Sequence, residues 1–260
     1  AMESTSSEPQ KFLEAVEHRN LGFSMRGTYG FKDRYFVEAS FGYNGSERFA
    51  KKHKMGFFPA AGVAYVISSE PVMAGAANWL PYLKFRASYG KVGNDGIINT
   101  PRFVHLPEVL ATSVRSLQPG QQDAKAWTVR NYADENIKWE IAEQVNFGLE
   151  AKMFKGIMEF TLDAYQEIRH NILSYRLVIP SHVGIEQNQL DNIGKVRSRG
   201  IDFSGKIQHA FSPDLWIILN GTFTYNKAVY MSLEEAADKP EWQRKKGHEI
   251  SQQVGFIDQG

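Results

Sequence analysis

The sequence has no cysteine among its 260 residues. A disulfide framework and any zinc or iron–sulfur site built on thiolates are therefore excluded. It also has no excess of one charge, with 30 Lys and Arg against 29 Asp and Glu for a net charge of +1. Nucleic-acid binders carry a clustered basic excess, so nucleic acid is not an expected partner. No apolar run approaches the ~18–20 residues that a membrane helix needs. Membrane strands are a different matter, because their alternation keeps hydropathy low. Helical periodicity is scarce. Leu233 to Lys239, behind a Ser232 cap and ahead of Pro240, reads as one short helix, and Lys11 to Glu17 as another. The start, Ala1 to Pro9, shows neither the basic residues nor the apolar stretch of a secretion leader. The end, Val254 to Gly260, stops in the approach to a strand. A cytoplasmic chain or an internal piece of a longer protein is expected, and the second fits the ending better.

Chemistry-bearing clusters are equally thin. The histidines, His18, His53, His105, His170, His182, His209 and His248, do not pair at metal-ligand spacing. Glu234-Glu235 and Asp134-Glu135 lie in polar, loop-like stretches and read as solvated surface rather than as a catalytic dyad. Gly90-Lys91-Val92-Gly93 lacks the Lys-Ser/Thr ending of a phosphate loop, and no helical pattern follows it. No enzyme activity, metal or cofactor is expected.

What the chain does have is alternation. Aromatics reach 13% and glycines number 22, a composition suited to strands and turns. Tyr35, Val37, Ala39, Phe41 and Tyr43 alternate with mostly smaller or polar neighbours. The same period of two runs through Leu83–Tyr89, Val145–Met153, Met158–Ala164, Ile201–Phe211 and Leu215–Tyr225. Each segment thus has one apolar and one polar face. Nine antiparallel strands are expected, near 18–30, 33–44, 56–67, 81–92, 138–153, 157–171, 194–211, 214–228 and from about 249. Several exceed the ~5–6 residues usual in globular sheets and suit tilted membrane strands of ~9–11 residues.

The connections alternate as well. Phe31–Arg34, Phe154–Gly156 and Phe211–Asp214 are tight, whereas 44–55, 91–138, 171–194 and 227–249 are long. In an antiparallel meander this puts tight turns at one end and long loops at the other, the asymmetry of an outer-membrane barrel. The connection from Ser68 to Trp79 is the exception, and Ser68-Ser69-Glu70-Pro71 reads as the start of a short helix within it. A soluble β-sandwich, such as a carbohydrate-binding module, gives the same face pattern and is the alternative.

Several landmarks occur in order. They are Phe57-Phe58-Pro59-Ala60-Ala61-Gly62-Val63-Ala64-Tyr65-Val66, Leu83-Lys84-Phe85-Arg86-Ala87-Ser88-Tyr89-Gly90-Lys91-Val92-Gly93-Asn94-Asp95 and Glu135-Asn136-Ile137-Lys138-Trp139-Glu140. Then follow Gln144-Val145-Asn146-Phe147-Gly148-Leu149-Glu150, Asn192-Ile193-Gly194-Lys195-Val196-Arg197-Ser198-Arg199-Gly200-Ile201-Asp202 and Lys246-Gly247-His248. The set resembles the SusC/RagA-like TonB-linked outer-membrane transporters of Bacteroidetes, from about residue 22 onward. Tyr65-Val66 departs from the aromatic–Arg pair common in that family. The resemblance implies an all-β antiparallel meander that is part of a transmembrane β-barrel of about 22 strands. Residues 1–17 would be an N-terminal extension, and 18–260 a partial barrel domain without plug or closing strands. It further implies an outer-membrane location, a SusD-like surface lipoprotein and TonB as partners, contact with outer-membrane lipid, and import of a bulky nutrient, either glycan or peptide.

Two sets of residues follow as candidates. Lys84, Arg86, Glu150, Lys152, Asp163, Glu167, Asp202 and Lys206 lie on the polar sides of their strands and would face a watery lumen, since a midplane Lys or Arg against lipid costs about 2–4 kcal/mol. Trp79, Trp127, Tyr132 and Trp242 lie in connections and are the candidate ligand contacts, because aromatic faces stack on sugar rings.

Overall fold

A computed structural model describes residues 19–96, 103, 105–114, 124–177 and 189–253. Eight long strands form one antiparallel meander: β1 (Asn20–Phe31), β2 (Tyr35–Ser46), β3 (Met55–Val66), β4 (Tyr82–Asn94), β7 (Glu140–Met153), β8 (Met158–Tyr175), β9 (Leu190–Ser212) and β10 (Leu215–Ser232). β5 (Glu108–Val114) and β6 (Ala124–Asn131) pair separately as a hairpin inside the connection from β4 to β7. The hairpin was not expected. Its strands are short, and no alternating apolar pattern marks them. No second sheet packs on the meander among the described residues, so the sandwich alternative is set aside. No helix there is long and apolar enough to cross a membrane, which says nothing about strands.

The expected strand centres hold, but three strands run further. β8 continues to Tyr175, β9 starts at Leu190 and β10 ends at Ser232. Apolar alternation stops before these extensions, and only backbone pairing carries the strands on. Asn171, at φ +57°, sits in the register break where β8 leaves regular pairing with β9. No strand forms at 249–253, where an isolated bridge from Val229 to Glu249 is followed by a turn, and residues from 254 lie outside the described residues. So does the possible helix at Lys11–Glu17.

Residues 233–239 are not a helix. A stretch this short cannot repay helix nucleation, and Glu235 has other partners. It accepts from Lys239 Nζ at 2.8 Å and from the amides of Lys245 and Lys246 at 2.9 and 3.1 Å. Between β3 and β4 the short helix is two 3-10 segments, Ile67–Ser69 and Pro71–Ala76, with Pro71 in the first turn and Glu70, not Ser68, at the cap position. The tight turns lie at the same end as this connection. Lys32 and Asp33 both take φ +53°, closed by Arg34 N donating to Phe31 O at 3.1 Å. In the turn after β7, Gly156 sits at φ +90°, a conformation that side chains disfavour.

Register assigns every side chain to one of two faces. One face carries Phe23, Met25, Tyr35, Val37, Phe41, Tyr43, Phe57, Val63, Phe85, Tyr89, Phe147, Leu149, Leu162, Phe203, Leu219, Phe223 and Tyr225. Most of these are exposed, with Phe23 at 61% and Phe223 at 60%. Ring pairs link them across strands, including Phe23–Phe41, Phe41–Phe57, Phe85–Phe147 and Phe160–Phe203. Such a surface is far larger than water tolerates.

The apolar band crosses the strands obliquely. On β2 it runs from Tyr35 to Tyr43, and on β10 from Ile217, the first regularly paired residue of its face, to Tyr225. Followed through the paired residues, Tyr35 shares a row with Phe223; at constant register the row of Tyr43 would meet β10 at position 231. Both edges of the band therefore shift six residues over the six strand steps from β2 to β10. With ~3.3 Å per residue and ~4.8 Å between strands, that drift corresponds to a strand tilt of about 35°. Membrane barrels tilt by ~35–45°, and nine residues at this tilt span about 22 Å, close to their ~25 Å apolar belt.

Because the chain contains no cysteine, single cysteines report cleanly. In lipid vesicles, a fluorophore on Phe147→Cys should be quenched by a bilayer-borne quencher, and one on Asn146→Cys should not. Equal quenching of the two would contradict the two-faced wall.

Candidate functional site

The opposite face of the sheet is polar and internally paired. Register places Lys84, Arg86, Glu150, Lys152, Asp163, Glu167, Asp202 and Lys206 together on it. Four of them form a network. Arg86 Nη2 donates to both carboxylate oxygens of Asp163, at 2.9 and 2.6 Å. Glu150 lies 3.4 Å from Arg86 Nε and 3.8 Å from Lys84 Nζ. Lys152 pairs with Glu159 at 3.4 Å. Glu167 is bound by Arg169 at 3.0 Å. Asp202 stands directly across from Asp163. Two adjacent carboxylates repel, and Arg86 offsets that repulsion from the Asp163 side.

Gly148 makes the Arg86–Asp163 pair possible. It sits opposite both Arg86 and Asp163 in register, and a Cβ there would collide with the Arg86 side chain and with Asp163 Oδ1. An isolated glycine within an alternating strand signals close approach of another group. That was the one sequence signal for this network. An open basin of about 720 Å³ lies at the tight-turn end of the same region, lined by Thr28, Glu38, Tyr82, Lys84, Arg86 and Asn146 among others.

At the long-loop end, Phe49, Phe58, Ile137, Trp139 and Leu190 form a buried cluster. The Trp139 ring lies 5.2 Å from Phe49 and 5.3 Å from Phe58. It gathers the β2–β3 loop, the segment before β7 and the start of β9 onto one anchor. Asn192 reinforces it, donating to Lys138 O and Asn171 O at 3.0 and 2.7 Å. Phe58, Ile137 and Trp139 stand in the landmark runs, but the burial of the cluster was not legible in the sequence, because none of its residues belongs to an alternating run that reveals it.

The four aromatic candidates do not meet. Trp79 lies at the tight-turn end, where its carbonyl accepts from Phe154 N at 2.8 Å. Trp127 is on β6 and 73% exposed, and Tyr132 follows that strand, half-buried. Trp242 lies in a 3-10 turn beyond β10. Trp127, Tyr132 and Trp242 are at the long-loop end, so Trp79 cannot share a platform with them. No group of three or more His, Asp or Glu suited to a metal occurs among the described residues.

The sequence matches the family model described as TonB dependent receptor-like, beta-barrel, over residues 4–252. The chain belongs to the TonB-dependent receptor β-barrel family. It is 31% identical to TonB-dependent receptor P26 of Formosa agariphila over 203 residues, covering 77% of this chain and 20% of that one. To TonB-dependent receptor P3 of the same organism it is 26% identical, covering 89% and 22%. To TonB-dependent receptor SusC of Bacteroides thetaiotaomicron it is 24% identical, covering 82% and 21%. The chain thus spans less than a quarter of the length of the curated relatives it matches. The fold agrees with the RagAB peptide importer in its closed-closed state, at a TM-score of 0.74 and 24% identity, covering 90% of this chain and 25% of that one. TonB-dependent receptor barrels of the SusC and RagA type are outer-membrane proteins, and this chain is a stretch of such a barrel wall.

Gly148→Ala should weaken the receptor wall by about 1–3 kcal/mol, read as urea unfolding in micelles. In an Arg86→Ala background the same change should cost less, because the Arg86 side chain is gone and Asp163, released from it, can turn away from position 148. Additive costs would show that Gly148 does not serve the ion pair. Glu235 is held well below its ordinary 4.5, at about 2, by Lys239 and the amides of Lys245 and Lys246. A depressed carboxylate stabilises the loop above its unfolded pKa, and that contribution is lost as pH falls toward 2. Protection of the Lys245 and Lys246 amides, their exchange relative to the intrinsic rate at each pH, should hold at pH 5 and fall between about pH 4 and 2.

Proposed function

We propose that the protein carrying this chain imports a bulky nutrient, glycan or peptide, across the outer membrane. TonB drives the import, and a SusD-like surface lipoprotein assists it. The chain supplies part of the barrel wall and is not an enzyme. The observation that carries the reading is the division of the wall into two faces. An exposed apolar band about 22 Å tall suits lipid, and the eight charged residues on the reverse suit a water-filled interior.

On this reading, the polar network faces the lumen. Lys84, Arg86, Glu150 and Asp163 would contact the plug or line the substrate path, beside the basin at the tight-turn, periplasmic end. Trp127, Tyr132 and Trp242 would sit on the outer side and meet the substrate or the lipoprotein. Trp79 would lie on the periplasmic side, away from capture. The RagAB relative is named a peptide importer, which favours peptide. The exposed indole of Trp127 suits a sugar ring equally well.

Uptake of labelled oligosaccharide and oligopeptide mixtures, in cells with and without the intact transporter, tests the reading. One class should be taken up only when both transporter and TonB are present. Trp127→Ala should raise the half-saturating concentration by about 3- to 10-fold. Uptake of both classes unchanged in the deletion strain would refute the proposal.

A further inference from the structure

The apolar face does not end in neutral residues everywhere. On β9 the band stops at Ile201, and the next three positions of the same face toward the long loops are Arg199, Arg197 and Lys195. On β10 it stops at Tyr225, and Lys227 follows, beside Arg199 in register. On β4 it stops at Tyr89, and Lys91 follows. β2 and β3 have no such edge. The corresponding positions there are Gly45 on β2 and Met55 on β3.

Few anions compensate these cations. Glu143, on β7, is held by Lys91 at 2.8 Å and faces His170 at 3.5 Å. Glu249 is held by Lys227 at 2.9 Å. Arg199 Nε donates to Gln166 at 2.6 Å, which leaves its charge uncompensated. Lys195 and Arg197 have no ion-pair or hydrogen-bond partner among the described residues. The surface therefore carries five cations against two carboxylates, concentrated on β9.

Height decides what could meet it. Two residues along a strand tilted by about 35° rise about 5 Å, so Arg199 stands about 5 Å above the edge of the band and Arg197 about 11 Å above it. The polar headgroup layer of a bilayer occupies about the first 5–8 Å beyond the hydrocarbon on each side. Arg199 stands within that layer, and Arg197, just above it, reaches back toward it with its long side chain, with the acyl chains against Phe203, Phe223 and Tyr225 below; Lys195, about 16 Å up, stands clear of it.

We propose that Arg197 and Arg199 form a binding site for the phosphate groups of an outer-leaflet lipid. The site would tie the β9 side of the wall to a phosphorylated lipid, whereas β2 and β3 offer no basic edge. The proposal rests on the reading that the apolar band meets lipid.

The test is native mass spectrometry of the intact transporter in detergent, with either diphosphoryl lipid A or the same lipid with its phosphates removed. The transporter should retain the phosphorylated form at least about ten-fold better, since each basic residue near an anionic lipid contributes about 1 kcal/mol. Arg197→Gln combined with Arg199→Gln should abolish the preference. Arg197→Lys with Arg199→Lys should keep most of it, showing that the charge matters and that the glutamine variant did not fail for want of folding. Arg86→Gln, on the opposite face, should leave it unchanged. Excess inorganic phosphate should compete only weakly, because the acyl chains contribute to retention. Equal retention of both lipids would overturn the headgroup site and leave the lipid-facing band intact. Retention of neither would overturn both. Full competition by free phosphate would show an anion site rather than a lipid one.

Discussion

Backbone pairing across seven strand junctions fixes the register of the whole wall, and register fixes which solvent each side chain meets. Because the side-chain period is two, slipping any one strand by a single residue would turn Phe147 or Phe203 inward and Arg86 or Asp163 outward. In a membrane either error costs several kcal/mol per charged residue. The apolar band and the ion-pair network are thus two consequences of one constraint. The oblique course of the band, six residues over six strand steps, is the third, since it records the tilt at which these strands must stand to keep the band level.

The polar face shows how charges are accommodated on a wall that cannot hide them in a core. Arg86, Asp163, Glu150 and Lys84 come from three neighbouring strands and neutralise one another across the rungs. Gly148 keeps the space they need. The buried aromatic cluster lies at the long-loop end, where Trp139, Phe49, Phe58, Ile137 and Leu190 hold the loops together. Loops of this length need such an anchor, because alternation gives them none.

Much of the wall was legible in the sequence because its physics is local. Alternation over Leu83–Tyr89 or Val145–Met153 is a direct image of the two faces, and the lysines and carboxylates between the apolar residues fall on the reverse. The parts that escaped depend on partners far along the chain. β8, β9 and β10 run past their apolar segments because neighbouring backbones pair there. The hairpin of β5 and β6 lies in a stretch with no alternating signal. The expected helix after Ser232 lost to Glu235, whose best partners are the backbone amides of Lys245 and Lys246. For the site, sequence placed the charged residues on one side but could not say that Arg86 reaches Asp163, two strands away.

The central claim is that lipid level, not hydrogen-bond rung, organises this wall. Depth-dependent quenching of single probes in bilayers tests it directly, at positions 43, 225 and 231. At constant register positions 43 and 231 would share a rung, whereas 43 and 225 mark the same edge of the apolar band. Probes at 43 and 225 should report equal depth at the headgroup boundary, with 231 about 16 Å further out in water, as six residues at this tilt require. Equal depth at 43 and 231, with 225 buried below both, would mean that the strands stand upright and that the oblique band is not the membrane boundary.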